Sequence, residues 1–400
     1  MNILHIVPYF YPAWSYGGTP RVVYELCREL VRKGHNITVY TTDVFDKDSR
    51  QSAVGSRQST TCIETEVEGI KIKYFRNLSN TLAFNQKVFI SPGILKDLKK
   101  NLRQFDIVHL HEFRTLQNAA AYRYLTKYEI PYILSAHGSV LRLMGKEFLK
   151  GLFDVCIGFK ILKSAKRVIA VSKIEVEQYI NMGVPKDKIS LIPNGINLTE
   201  FKNKEQVKGK FRGGYNLSDK KILLFIGRLN AIKGIDFLLN TFAVLSKDDR
   251  DTVLVIAGPD DGYKSKLERL IRHLDINDRV LLIDGLYGAD KIAAMTDADL
   301  FVYPSKHEIF GIAPFEALMC GTPVIVTESC GCADFLREAD AGIVVKYQDI
   351  LQLSDAIKKI LSKKDDAEDM ASRGREFVQR QFNWDAISEK IIELYKSIYA

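Results

Sequence analysis

Short apolar runs alternate with amphipathic stretches along most of this chain, and the two periods predict its elements. Apolar runs predict strands at residues 3–7, 37–40, 70–74, 107–110, 132–135, 168–171 and 189–192. Helical spacing fills the intervals, most clearly at 20–31, 95–102 and 175–180. Strands that alternate with helices imply a parallel, doubly wound sheet. Residues 43–61 are polar and aperiodic, so a mobile loop is expected there.

After Pro193-Asn194-Gly195 the pattern breaks into a charged stretch, 200–221, that contains Gly209, Gly213 and Gly214 and reads as a linker. The alternation then restarts, with strands expected at 222–225, 253–257, 280–283, 300–303 and 324–326, and a last helix at 385–399. A chain of 400 residues exceeds one ordinary core. Two α/β domains are expected, 1–198 and 199–382, with a C-terminal helix, 383–400, that packs back on the first. Doubly wound sheets bind ligands at the carboxyl ends of their strands, so the ligand is expected in the cleft between the lobes.

Composition narrows the class. No apolar run approaches the roughly 20 residues that span a bilayer. The opening MNILHIVPYF lacks a basic start and a cleavage site and reads as a buried strand, which makes the cytoplasm the expected location. The six cysteines are scattered, mostly among apolar neighbours, and are expected to be reduced. Cys330-Gly331-Cys332 lacks the second pair that a metal site needs. The net charge of +8 lies wholly in the first half: residues 1–200 carry 28 Lys and Arg against 18 Asp and Glu. Either this is a solvated basic face or it meets something anionic, such as a lipid surface. No nucleic-acid-binding motif accompanies it, so nucleic acid is not an expected partner.

Three segments carry candidate chemistry. Gly17-Gly18-Thr19-Pro20 follows the first strand and opens a helix, where backbone comes close to a ligand and free N–H groups attract an anion. A tight strand-to-helix turn explains it equally well. The fingerprint G-x-G-x-x-G is absent, which argues against a nicotinamide enzyme. Arg228 and Lys233, at the tip of the first strand of the second lobe, suit a diphosphate clamp; surface decoration is the alternative. In the third segment a buried strand ends at Pro304, a loop carries Glu308, Gly311 allows close approach, and Pro314 opens a helix that carries Glu316. Each carboxylate suits a vicinal hydroxyl pair, although a first-turn Glu also complements the helix dipole.

Other strings are set aside. Asp297-Ala298-Asp299 and Asp46-Lys47-Asp48 resemble a metal motif, but the first runs into a buried strand and the second sits in the aperiodic loop. His109 and His111 share one face of a strand end, yet no third ligand is evident. Packing is expected for His109 and acceptor contact for His111.

The segment 308–316 resembles the E-x7-E motif of glycosyltransferase family 4, which has the two-lobed GT-B fold. The similarity runs nearly end to end. It takes in Gly17-Gly18, Val171-Ser172, Pro193-Asn194-Gly195-Ile196, Gly227-Arg228 with Lys233-Gly234, and Gly321-Thr322-Pro323-Val324. It implies a metal-independent, retaining enzyme whose first lobe binds the acceptor and whose second binds a nucleotide-sugar. Arg228 and Lys233 would hold the diphosphate, Glu316 the ribose and Glu308 the sugar hydroxyls. Backbone at Phe310, Gly311, Ile312 and Ala313 would meet sugar and phosphate, with Gly17 and Gly18 on the other side. His137, in Ser135-Ala136-His137-Gly138, resembles the family's donor-site histidine, although a lone His after a strand is often structural. The family's commonest carrier, UDP, is the expected one. No cofactor is expected, and the acceptor is expected to be a glycan or lipid-linked hydroxyl in envelope or polysaccharide synthesis. Apart from the resemblance, Phe148, Leu152, Cys156 and Phe159 share one helical face with Lys146 and Lys150 on the other side, which suits docking of the basic first lobe on the inner face of an anionic membrane; packing of that face into the lobe's own core is the alternative. The rival readings are an epimerase or phosphorylase on the same fold, or a non-catalytic two-lobed sugar-binding protein. Ser329–Asp334 departs from the Gly-Gly and Pro-Glu pattern of many relatives, which bears on donor-sugar identity.

Overall fold

A computed structural model describes residues 1–45, 62–141 and 147–399. The chain divides into two compact units, Met1–Gly195 with Trp384–Ala400, and Ile196–Asn383.

The first unit is built on eight strands: β1 (Asn2–Ile6), β2 (Asn36–Thr42), β3 (Cys62–Val67), β4 (Ile70–Phe75), β5 (Ile107–His111), β6 (Tyr132–Ser135), β7 (Arg167–Ala170) and β8 (Ile189–Leu191). Their order is β3-β4-β2-β1-β5-β6-β7-β8. Leu4, Ile6, Val108 and Leu110 are wholly buried, as expected for central strands covered on both faces. Only β3 runs antiparallel, joined to β4 through Glu68-Gly69, both at positive φ, as a two-residue hairpin requires. It was not among the expected strands, because it is a half-exposed edge in which Ile63, Thr65 and Val67 alternate with Glu64 and Glu66. Most of the expected mobile loop, residues 46–61 with Asp46 and Asp48, lies outside the described residues.

The last helix, Trp384–Tyr399, belongs to this first unit. Ile387, Ile391 and Tyr395 are buried. Lys33 Nζ, just past the end of the helix Gly18–Arg32, lies 2.8 Å from Asp385 and 3.2 Å from Glu389. A Cβ at Gly195 would sit 2.3 Å from the Trp384 ring. The Pro193-Asn194-Gly195 segment therefore closes on Trp384, and only a residue without a side chain fits.

The second unit holds β9 (Lys221–Ile226), β10 (Thr252–Ala257), β11 (Val280–Ile283), β12 (Leu300–Tyr303), β13 (Val324–Thr327) and β14 (Ile343–Val345), all parallel, in the order β11-β10-β9-β12-β13-β14. β14 was not among the expected strands. The stretch 200–221 is not a linker. It forms short helical turns and the helix Lys210–Gly214, held by the very carboxylates that mimic a metal motif. Asp297 accepts from the backbone N–H of Gly209 (2.6 Å), Phe211 (2.9 Å) and Arg212 (3.0 Å). Asp299 accepts from Arg212 Nη2 (2.6 Å) and the Ile222 N–H (2.7 Å). Both carboxylates are spent on anchoring chain.

Candidate functional site

In the second unit the candidate residues gather at the carboxyl ends of β9 and β12. Gly234, at φ 64°, turns the Lys233 loop down onto the end of β12, and a Cβ there would lie 2.0 Å from the Pro304 carbonyl oxygen. Glycine is obligatory at that point. The turn delivers Lys233 Nζ to Tyr303, 2.7 Å from its hydroxyl, and to the Glu308 carboxylate. The Tyr303 hydroxyl donates to the same carboxylate at 2.8 Å. Burial by itself would raise the Glu308 pKa. The Lys233 charge, the hydrogen bonds from Lys233 and Tyr303, and the Arg228 charge outweigh it and hold the group below the usual range. Glu308 is thus an ionised acceptor at neutral pH. Arg228, at the tip of β9, is half-exposed; its Nη1 lies 3.0 Å from Asp261, which also accepts from Asn230 at 3.0 Å.

The loop after Glu308 ends at Gly311, at φ 80°, and the helix Ile312–Cys320 begins there. No side chain caps that end, and the first-turn amides of Ile312 and Ala313 have no intrahelical acceptor. An anion would be favoured at such an end. Glu316, one turn in, is paired with Lys291 Nζ at 2.7 Å, and both side chains are largely enclosed. The backbone of Glu308 is bonded to 329–334, the segment that departs from many relatives: its N–H donates to the Ser329 carbonyl (3.2 Å) and its carbonyl accepts from Gly331 (2.8 Å). Cys330 and Cys332 are buried free thiols there.

In the first unit, the ends of β1, β5 and β6 form a second polar group. Gly17, at φ 108°, precedes the helix Gly18–Arg32. Glu112 follows β5 and accepts from Tyr9 Oη (2.8 Å) and Thr19 Oγ1 (3.1 Å); burial raises its pKa against those bonds. His137, at φ 49°, follows β6, and the Gly138 N–H donates to Glu175 at 2.7 Å. Glu175 also accepts from the Val171 N–H at 2.9 Å, and burial pushes it up to about 7.

A row of imidazoles lies behind His137. Its Nε2 is 3.0 Å from His111 Nδ1, and His111 Nε2 is 2.9 Å from His5 Nδ1. His109 is bonded to Tyr395 Oη and Ser135 Oγ, each at 2.8 Å. Burial lowers the pKa of all four, to about 3 for His5 and about 4 for His137.

Comparison with known proteins now decides the family. Residues 16–200 match the family described as Glycosyltransferase Family 4, and residues 207–377 match Glycosyl transferases group 1. The chain belongs to glycosyltransferase family 4. An uncharacterized glycosyltransferase of Methanocaldococcus jannaschii is 25% identical over 397 residues, covering 98% of this chain and 97% of its own. The D-inositol 3-phosphate glycosyltransferase of Xylanimonas cellulosilytica is 25% identical over 401 residues, covering 95% and 91%. Anabaena HepE, solved in complex with UDP, shares the fold at a TM-score of 0.78 and 18% identity over 99% of this chain and all of its own. The GT-B class is therefore that of this family 4 chain, with one α/β sheet in each unit, parallel except for the edge strand β3.

Within this family 4 protein the structure brings Lys233, Glu308 and Gly311 together, and sets Arg228 and Glu316 against acidic and basic partners that the sequence reading missed. Asp261 and Lys291 are those partners, and Tyr303, bonded to Lys233 and Glu308, was missed as well. None has a local motif, although Tyr303 at the end of an apolar run is a usable signal. The Phe310 side chain is core, 5.3 Å from the Phe315 ring and 5.8 Å from that of Phe382, so only its backbone is available to a ligand. His111 is wholly buried between two other histidines, which overturns the expected acceptor contact. A third imidazole does stand beside His109 and His111: ring nitrogens of His5, His109 and His111 lie within 4.8 Å of one another. The set is metal-like in composition, but His109 has both nitrogens engaged by hydroxyls and the other two rings bond each other.

Proposed function

We propose that this glycosyltransferase moves a sugar, with retention of configuration, from a UDP-linked donor to a hydroxyl acceptor. The observation that carries the reading is the Lys233–Tyr303–Glu308 group beside an uncapped helix N-terminus. The amides of Gly311, Ile312 and Ala313, with Lys233 and Arg228, are suited to a diphosphate, whose departure they would assist by electrostatics in place before the reaction. Ionised Glu308 is suited to the sugar hydroxyls and Glu316 to the ribose. Gly17, Gly18 and His137, in the first unit, are proposed as donor contacts from the family resemblance alone. UDP is preferred because Anabaena HepE was solved with it. Retention fits a transition state in which charge develops on the ring while the leaving phosphate stays on the same face. The test is a thermal-shift series with UDP, GDP, ADP and their glucose conjugates, followed by the anomeric configuration of the product. A ligand at 100 times its Kd raises stability by about 2.7 kcal/mol. No shift with any nucleotide, or an inverted product, would sink the reading.

We further propose an acceptor held at an anionic membrane, which would be lipid-linked or an envelope glycan precursor. The helical segment 147–164 buries Asp154, Ile161 and Leu162, with Asp154 locked to Arg114 at 2.8 Å. Its outer side is apolar instead of polar: Phe148 is 82% exposed, Val155 70%, Leu149 59% and Leu152 52%. Lys160, Lys163 and Lys166 are exposed next to it. Apolar side chains beside surface cations suit the headgroup boundary of an anionic bilayer, each cation adding about 1 kcal/mol. No described helix is long and apolar enough to cross a membrane. Co-sedimentation with phosphatidylglycerol vesicles should fall with salt and in the Phe148→Ser, Val155→Ser double variant. Protein left in the supernatant at low salt would defeat the proposal.

A further inference from the structure

Four of the five imidazoles of the first unit cluster together, and three of these form a directed chain. His5, on β1, and His109, on β5, are register partners, and His111 lies two residues along β5 on the same face. His5, His109 and His111 are wholly or almost wholly buried, while His137 at the end of β6 is half-buried. Burial keeps the rings of the chain neutral near pH 7, so each carries one N–H and one bare nitrogen.

With one proton per ring, only two arrangements satisfy both bonds. In the first, His5 Nδ1–H donates to His111 Nε2, and His111 Nδ1–H donates to His137 Nε2. His137 then carries its proton on Nδ1. In the second every proton is reversed, and His137 Nδ1 is bare. The inner end decides between them. His5 Nε2 is buried and has no partner among the described residues. The first arrangement leaves a bare nitrogen there and the second leaves an N–H. A buried donor without an acceptor is the costlier defect, and such donors are rare in native proteins. His137 Nδ1 has no protein partner among the described residues, and it is the nitrogen left for a ligand.

We infer that the buried chain His5–His111–His137 holds His137 in the Nδ1–H form, so that it offers the donor sugar a hydrogen-bond donor aimed at a hydroxyl oxygen and not a general base. His5 and His111 are positioning residues that act through His137. The role toward sugar rests on the reading of His137 as a donor-site residue; the tautomer does not.

The experiment uses full-length protein with 15N-labelled histidine. The chain has seven histidines, and long-range 1H–15N correlations report which nitrogen of each ring is protonated. Near pH 7.5, His5, His111 and His137 should all show protonated Nδ1 and bare Nε2, assigned through single variants. Protonated Nε2 at His137 would overturn the inference. His111→Leu removes the donor to His137 Nε2, so the Nδ1–H signature should be lost and kcat should fall about tenfold, the equivalent of one hydrogen bond, with KM little changed. His111→Asn puts an amide N–H near the former Nδ1 and should keep the signature and most of kcat. Equal losses in the two variants would mean that His111 only packs, and would overturn its positioning role. Adding UDP-glucose, but not UDP, should shift the His137 Nδ1–H resonance. If the tautomers are as stated and that resonance ignores the sugar, the donor-site reading of His137 falls while the chain's polarity stands.

Discussion

Lys291 Nζ lies 2.7 Å from Glu316 Oε1, joining the helix Gly288–Asp297 to the helix Ile312–Cys320. A carboxylate assigned to the ribose is thus held by a lysine that no motif contains. Because the pair is enclosed, Lys291→Met should leave Glu316 uncompensated and destabilise the second unit by about 3–5 kcal/mol. The Lys291→Met, Glu316→Leu double variant should recover most of that. Hydrogen exchange of the helix Ile312–Cys320 measures both, and a single variant as stable as the parent would refute the coupling.

Lys233 is bonded to Glu308 and is proposed to hold the diphosphate, and its loss should show in both. Lys233→Ala should weaken UDP binding by about 1.5–3 kcal/mol, the range for a charge-assisted contact. Arg228→Ala should cost less, since Arg228 is half-exposed and shared with Asp261. Without Lys233, burial should lift the Glu308 pKa, so the acid limb of the pH–rate profile should move to higher pH. Calorimetric titration with UDP and rates from pH 5 to 8 test this; an unmoved acid limb would separate Glu308 from catalysis.

Glu308 and Glu316 should divide their labour. Glu308→Gln keeps shape but removes the charge set between Lys233 and Tyr303, and should lower kcat with UDP affinity nearly unchanged. Glu316→Gln should weaken free UDP and uridine alike. Equal effects of both substitutions on UDP affinity would contradict the assignment.

Metal should be dispensable if cations and a helix end neutralise the diphosphate. Turnover in excess EDTA should match that in magnesium or manganese. Loss on chelation, with recovery on adding either ion, would show another route to neutralisation.

Mild acid should loosen the first unit. His5, His109, His111 and His137 have folded pKa values below the ordinary 6.5. Below pH 6.5 the unfolded chain takes up protons that the folded one refuses. Stability is therefore complete above 6.5 and falls toward pH 4, by about 1.4 kcal/mol per pH unit for each histidine. Glu175, raised to about 7, opposes this between 4.5 and 7, where the folded state binds its proton more tightly, and Glu112, raised by burial, acts in the same direction. Glu175→Gln should accordingly steepen the loss. Both tryptophans, Trp14 and Trp384, lie in this unit, so their fluorescence in urea at pH 7, 6 and 5 reads it directly. A midpoint that does not move would rule the linkage out.

Local pattern was enough for the two α/β halves, for most strands, and for the order of the glycine loop, the Arg228–Lys233 tip and the Glu308–Glu316 segment. Each is written within a few neighbouring residues as an apolar run, a glycine before a helix, or a carboxylate at a set spacing. β14 and the edge strand β3 were lost, and in both most positions are only partly buried or exposed. What remained was decided by register and packing across long separations. β1 meeting β5 puts His5 opposite His109, 104 residues away, and creates the imidazole chain. The last helix returns to the first unit because Gly195 leaves room for Trp384 and because Tyr395 bonds His109. Asp297 becomes an anchor instead of a metal ligand because Gly209, Phe211 and Arg212 turn their N–H groups toward it. A side chain's type and neighbours show what chemistry it is able to do. Which partner meets it, and so whether it is spent on structure or left for a substrate, is set only when distant segments close on one another.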